Sequence, residues 1–185
     1  MSILEITALV STILCVILSA KENILAWPIG IISVLTLIGV YMGSGMYAQI
    51  GLQLVYLVQC IIGWVNWRKK DGIKVNKMDS DTYINHIGYA VCIGVLYGVL
   101  ILSTLGSKNA FLTYIDGISA FIALLGNWYL TRKTIQAWPL FMSYNVMMVF
   151  LLASQGIYGL AVLNMCLFFI SFNGFRTWKR NLREV

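Results

Sequence analysis

Apolar runs recur along the chain at about residues 4–20, 26–42, 47–66, 86–104, 111–130, 136–152 and 157–176, with short polar segments between them. A helix needs roughly 20 mostly apolar residues to cross a bilayer. The pattern therefore predicts an all-α membrane protein with seven transmembrane helices. The longest polar stretch, RKKDGIKVNKMDSDTYINH over residues 68–86, reads as a cytoplasmic linker between two halves. The first run, MSILEITALVSTILCVILSA, lacks a basic n-region and a clear cleavage motif, so it is expected to stay as a span.

Composition sharpens this picture. Hydrophobic residues make up 59% of the 185 and charged residues 11%. Soluble domains have about 45–50% and about a quarter. So little charge cannot cover a soluble globule of this size, and so much apolar surface excludes a disordered chain. Seven spans leave no room for a separate soluble catalytic domain. The net charge of +6 does not point to nucleic acid, because the basic residues lie in short clusters between apolar runs. Their placement sets orientation instead. Lys21, Arg68, Lys69, Lys70, Lys74, Lys77, Arg132, Lys133, Arg176, Lys179, Arg180 and Arg183 fall on one side of a seven-span chain, and Lys108 alone on the other. Positive charge stays cytoplasmic. The N-terminus is thus expected outside and the C-terminus inside.

The two halves match without a gap at an offset of 111 residues. Trp27-Pro28 becomes Trp138-Pro139, Gly45 and Tyr47 become Gly156 and Tyr158, Leu52 becomes Leu163, Gly63 becomes Gly174, and Trp67 becomes Trp178. Glu5 pairs with Asp116 and Arg68 with Lys179. Three spans per half is an odd number, so parallel halves need one further span between them. The fourth run supplies it, giving a 3+1+3 parallel internal repeat. The division is residues 1–70, a first three-helix repeat; 71–110, linker and connecting helix; and 111–185, a second repeat with a basic tail. Transporters built on such repeats hold substrate near the midplane, between the repeats.

Polar groups inside spans are costly and mark function by default. At 100° per residue, Gln53, Tyr56, Cys60, Trp64 and Trp67 share an arc of the third span, with Gln59 at its edge. Trp138, Phe141, Asn145 and Met148 share one in the sixth; Asp116, Ser119, Ala120, Ala123 and Asn127 form a small and polar stripe in the fifth. Asn164 in the seventh stands where Gln53 does in the third. Amides read hydroxyls and ring nitrogens, and aromatic faces stack on a flat heterocycle. Gln53, Tyr56, Gln59, Trp64, Asn127, Trp138, Phe141, Asn145 and Asn164 are therefore the candidate substrate-binding residues.

Plainer roles compete. All six tryptophans lie near the basic ends of helices, where an interfacial aromatic belt belongs. That role is favoured for Trp27, Trp67 and Trp178; for Trp64 and Trp138 both roles stay open. Gln53, Asn145 and Asn164 could also be interhelical glue. Helix N-terminal stabilisation is the expected role of Glu5 and Asp116, solvation in a loop that of His86, and packing in the core that of Cys15, Cys60, Cys92 and Cys166. No CxxC spacing, Walker loop, HExxH or Ser/His/Asp arrangement occurs, so no metal, cofactor or catalytic site is expected. No carboxylate lies deep in a span, which favours facilitated diffusion over ion coupling.

KENILAWPIG opening the second span, LQLVYLVQCIIGWVNWRKK ending the third, and NWYLTRKTIQAWPLFMSYN across the fifth and sixth resemble the PnuC vitamin transporters over almost the whole chain. That family is similar in layout to the SWEET sugar transporters, as a duplicated full-length form. The resemblance implies import of nicotinamide riboside, or in sister branches thiamine or riboflavin precursors, across a bacterial inner membrane. A cytoplasmic kinase then traps the vitamin. It also implies a substrate motif Trp-x-x-Trp-x-x-x-Asn/Asp, present here as Trp138-x-x-Phe141-x-x-x-Asn145. A homo-oligomer is compatible with it, and a non-transporting receptor or assembly protein is the alternative from another class.

Overall fold

The computed structural model describes residues 3–43, 47–69, 74–105 and 109–183. Lys70, Lys108 and Gly45 lie outside the described residues, as does the side chain of Glu5. Among the described residues there are seven helices and no strands: α1 (Ile3–Ala20), α2 (Ala26–Gly43), α3 (Tyr47–Trp67), α4 (Ser80–Leu105), α5 (Ala110–Thr131), α6 (Ala137–Ser154) and α7 (Tyr158–Arg183). Five, α3 to α7, contain stretches long and apolar enough to cross a membrane; α1 and α2 carry shorter apolar stretches, Ile6–Ala20 and Ala26–Met42.

Six helices close a ring. Their packing order runs α1, α2, α3, α5, α6, α7 and back to α1. α4 stands outside this ring against α5. Small residues let those two backbones approach: a Cβ on Gly94 would lie 2.6 Å from Ile118 Cα, and one on Gly117 2.5 Å from the Gly94 carbonyl oxygen. In a bilayer, where burying apolar surface gains nothing against lipid, such close backbone contact is what holds helices together.

The same turn joins α1 to α2 and α5 to α6. Asn23 N–H donates to Leu18 O over 2.9 Å, and Thr134 N–H to Tyr129 O over 3.0 Å, each pair 111 residues on from the other. Glu22 has φ 54° and Lys133 φ 51°, left-handed values that non-glycine residues seldom take. Each turn delivers the chain into Trp-Pro in the first turn of a helix, where the missing proline N–H has no partner to lose. Each tryptophan then lies over a glycine of the third helix in its half. A Cβ on Gly63 would be 2.3 Å from the Trp27 ring, and one on Gly174 2.7 Å from the Trp138 ring.

Four tryptophans meet at this end of the bundle. Trp27 and Trp67 have ring centroids 5.3 Å apart at 86°, and Trp138 and Trp178 5.3 Å apart at 88°. Trp67 and Trp178 join the pairs at 6.1 Å. All four are buried, Trp178 completely. The interfacial belt expected for Trp27, Trp67 and Trp178 is therefore not what they form. Gly63 and Gly174 leave room for the Trp27 and Trp138 indoles, and Trp67 and Trp178 are buried by edge contacts with them and with each other.

Other expectations also shift. The linker ends at Ser80 rather than His86, because Asp79 Oδ2 caps α4 by accepting from Asp81 N–H and Thr82 N–H at 3.1 and 3.3 Å. His86 is a half-buried helical residue, not a loop residue, and its Nδ1 lies 2.7 Å from the Tyr129 hydroxyl. Asn109 caps α5, its Oδ1 accepting from Leu112 N–H at 3.2 Å. Asp116 consequently sits about 9 Å along the helix from its start, at 1.5 Å per residue, too far to serve as the cap. Cys60 is buried and Cys15 half-buried, but Cys92 and Cys166 face outward.

Candidate functional site

A cavity of about 440 Å³ occupies the middle of the six-helix ring. Small-molecule sites commonly span about 300–1,000 Å³. Gln53 and Tyr56 reach it from α3, Asn127 from α5, Trp138, Phe141 and Asn145 from α6, and Asn164 from α7. Seven of the nine residues singled out in the sequence thus share one space. Gln53, Asn145 and Asn164 are each less than 9% exposed, so three amides are held in an apolar interior. Desolvated amides are worth keeping only where they meet a partner.

Two candidates lie elsewhere. Trp64 is 37% exposed on the outer face of α3, with the Arg68 guanidinium 5.9 Å from its ring. Gln59 borders a second space, a groove on the outside of the bundle. It still touches the site indirectly. Asn127 Nδ2 donates to Gln59 Oε1 at 2.8 Å, while Gln59 Nε2 donates to Leu124 O at 3.2 Å. Gln59 therefore holds the Asn127 amide through its nitrogen, and Asn127 itself lines the cavity.

The floor of the cavity is Trp138. Its ring contacts Phe141 edge-on, with centroids 6.2 Å apart, and Trp178 on the other side. Trp138 is 1% exposed, and its Nε1–H has no hydrogen-bond partner among the described residues, a feature shared with Trp27 and Trp178. Of these three, only Trp138 borders the cavity.

Sequence reasoning missed Tyr41, Tyr144, Cys15, Ser19 and Ser33, all of which line the cavity together with Thr12. Thr12 and Ser33 hydroxyls pair at 2.7 Å across α1 and α2. A signal for several of them was available. At the offset of 111, the lining residues Thr12, Ser19, Ser33, Gln53, Tyr56 and Cys60 become Ala123, Leu130, Tyr144, Asn164, Leu167 and Ser171, which also line it. The cavity walls correspond while the chemistry does not. Val16, Gly30 and Val34 occupy the positions that in the second half carry Asn127, Phe141 and Asn145. The second half supplies Trp138, Phe141, Tyr144 and three amides, and the first half supplies Gln53, two tyrosines, small hydroxyls and thiols. Such a space fits a ligand that is itself two-ended.

The described lining contains no Asp, Glu, Lys or Arg. Charge is concentrated instead beyond the tryptophans, where Lys133 Nζ meets Glu22 Oε2 at 2.9 Å and lies 4.8 Å from the Trp67 ring centroid. Asn181 Nδ2 also donates to Glu22, through Oε1.

The chain is 25% identical to the nicotinamide riboside transporter PnuC of Escherichia coli strain K12, covering 100% of this chain and 88% of that protein. The same identity and coverage hold for its namesake in Shigella flexneri. The fold matches a crystal structure described as the vitamin B3 transporter PnuC, with a TM-score of 0.76, 21% identity, and coverage of 98% of this chain and 82% of that one. Residues 2–180 match the family described as nicotinamide mononucleotide transporter, and the chain belongs to that family of multi-pass membrane transporters.

Proposed function

We propose that the protein imports a water-soluble vitamin of the nicotinamide riboside type by alternating access. The observation that carries this reading is the meeting of Trp138, Phe141 and Asn145 with Gln53, Asn127 and Asn164 in one cavity. A flat cationic pyridinium ring suits the aromatic side of the second half, where stacking and cation–π attraction add. The ribose hydroxyls suit the amides together with Thr12 and Ser33. A neutral lining favours a nucleoside over its phosphate ester. A phosphate would enter as a buried anion without a countercharge, at a cost of several kcal/mol. The relatives named for the riboside therefore describe this cavity better than the family's mononucleotide title.

Movement is proposed to be passive. Asp116 is exposed on α5 and is not part of the cavity lining, so it is poorly placed for a coupling site whose occupancy would change with the substrate's. Accumulation would then rest on a cytoplasmic kinase that phosphorylates the vitamin. The repeats at 1–70 and 111–185 are proposed to rock against each other around the cavity, with 71–110 as connector. The basic loops are proposed to face the cytoplasm of a bacterial inner membrane.

The test is uptake into proteoliposomes. Nicotinamide riboside should equilibrate regardless of imposed pH or sodium gradients, and accumulate only with a riboside kinase and ATP sealed inside. Nicotinamide mononucleotide should enter at least tenfold more slowly. Equal entry of the two, or no entry of the riboside, would overturn the reading. Thiamine and riboflavin in the same assay cover the sister branches.

A further inference from the structure

Outside the ring, a groove of about 410 Å³ runs between α3, α4 and α5. Its walls are apolar and open outward: Val55 is 45% exposed on α3 and Ile93 46% on α4. Its floor carries Gln59, so the groove is divided from the central cavity by the Gln59–Asn127 hydrogen bond. It begins at His86 and Trp128 and reaches Ile93 and Phe121, seven residues further along each helix. That is about 10 Å at 1.5 Å per residue, within the roughly 15 Å of one leaflet's hydrocarbon.

Arg132 and Lys77 stand at the end nearest the loops, with Asp79 and Asp81 at the start of α4. The Arg132 guanidinium sits 4.4 Å from the Trp128 ring centroid and is exposed. Asn76 Nδ2 donates to Arg132 O at 2.7 Å, which ties the linker to this loop and places the exposed Lys77 beside it. An apolar trough one leaflet deep, with an indole and a guanidinium at its mouth, has the chemistry of a phospholipid site.

We propose that this groove binds one anionic phospholipid from the leaflet next to the basic loops. An acyl chain lies between α3, α4 and α5, and the phosphate pairs with Arg132 and Lys77. The chain packs against Gln59 and so covers, from the lipid side, the amide that holds Asn127 in the cavity.

Native mass spectrometry of the purified full-length protein tests this, with phosphatidylglycerol and phosphatidylcholine of matched chains as probes. The wild type should retain one phosphatidylglycerol, at least tenfold in preference to phosphatidylcholine. Arg132→Gln should cut that preference about fivefold, the effect of one basic residue at an anionic surface. Val55→Trp and Ile93→Trp fill the groove from exposed positions on opposite walls, so they should abolish retention while keeping the wild-type melting temperature. Leu96→Trp, at a position on α4 that is 67% exposed and outside the groove, should leave it unchanged. If one groove variant misfolds, the other decides. Equal retention of both lipids, retention that survives either folded groove variant, or loss in those variants of a protein dimer instead of a lipid, each overturns the proposal.

Discussion

Glu22 and Lys133 are 111 residues apart in the chain and 2.9 Å apart in space. They occupy equivalent positions in the α1–α2 and α5–α6 turns, and both have a left-handed backbone. Opposite charges at matched positions close the bundle at the basic end, above the four buried tryptophans. The shared strain has a reason. This turn brings the two side chains together and leads into Trp27 and Trp138, which lie over Gly63 and Gly174.

Glu22→Gln should lower stability by about 1–3 kcal/mol, between the values for exposed and buried ion pairs. The side chains are 14% and 21% exposed, so neither limit applies. The exchanged pair, Glu22→Lys with Lys133→Glu, should recover less than the full loss, because Asn181 loses its acceptor and Trp67 its cation. Thermal melting of the wild type, Glu22→Lys, Lys133→Glu and the exchanged double variant in one detergent forms the double-mutant cycle, and additivity would show that the pair is uncoupled.

Gly63→Ala and Gly174→Ala should each destabilise by about 1–3 kcal/mol through overpacking against a buried indole. Their effects on binding should differ. Gly174→Ala pushes Trp138, which floors the cavity, and should weaken ligand affinity. Gly63→Ala pushes Trp27, which does not line it, and should leave affinity near wild type. Gly51→Ala, where an added Cβ meets nothing within 4 Å, is the control. Titration calorimetry of the folded variants checks this, and equal losses at 63 and 174 would refute it.

Trp138→Ala should cost about 1–3 kcal/mol of ligand binding if the indole stacks on the substrate, a loss of about 5- to 150-fold. Trp138→Phe keeps one aromatic face while removing the fused pyrrole ring with its unpaired N–H, so it should lose less than Trp138→Ala. Wild-type affinity in a folded Trp138→Ala protein would leave the residue a purely packing role beside Trp178.

Gln136→Ala should release the linker without touching the cavity. Gln136 Oε1 accepts from Met78 N–H at 3.0 Å and its Nε2 donates to Met78 O at 2.7 Å. Each bond contributes about 0.5–1.5 kcal/mol. Amide exchange over residues 74–79 should accelerate by about 5- to 150-fold, the range for 1–3 kcal/mol. Riboside affinity should stay within twofold of wild type. Unchanged exchange would mean that the backbone pairing of Asn76 with Lys133 and Ile135 holds the segment alone.

What the sequence determined by itself was the part of the molecule governed by period and repetition. Apolar run lengths specified seven helices because a bilayer leaves backbone polar groups no other partner than the helix itself. Helical angles brought Gln53, Tyr56, Trp138, Phe141 and Asn145 onto faces that do share the cavity, since facing is a local property. The Trp-Pro and Gly positions paired at one offset lie at corresponding places in the structure, each Trp over the paired Gly. What tertiary structure decided was everything that depends on a neighbour from another helix. Trp27, Trp67 and Trp178 read as an interfacial belt because aromatic character and depth are the same at a lipid boundary and in a core. Only their neighbours on other helices, Gly63 beneath Trp27 and the ring contacts that bury Trp67 and Trp178, settle the difference. Trp64 and Gln59 shared an arc with cavity residues, yet α5 packs against α3 so that one turns to lipid and the other behind Asn127. Tyr144 and Ser33 entered the cavity because the six-helix ring closes there, and no periodicity within a single helix records which neighbours complete a ring.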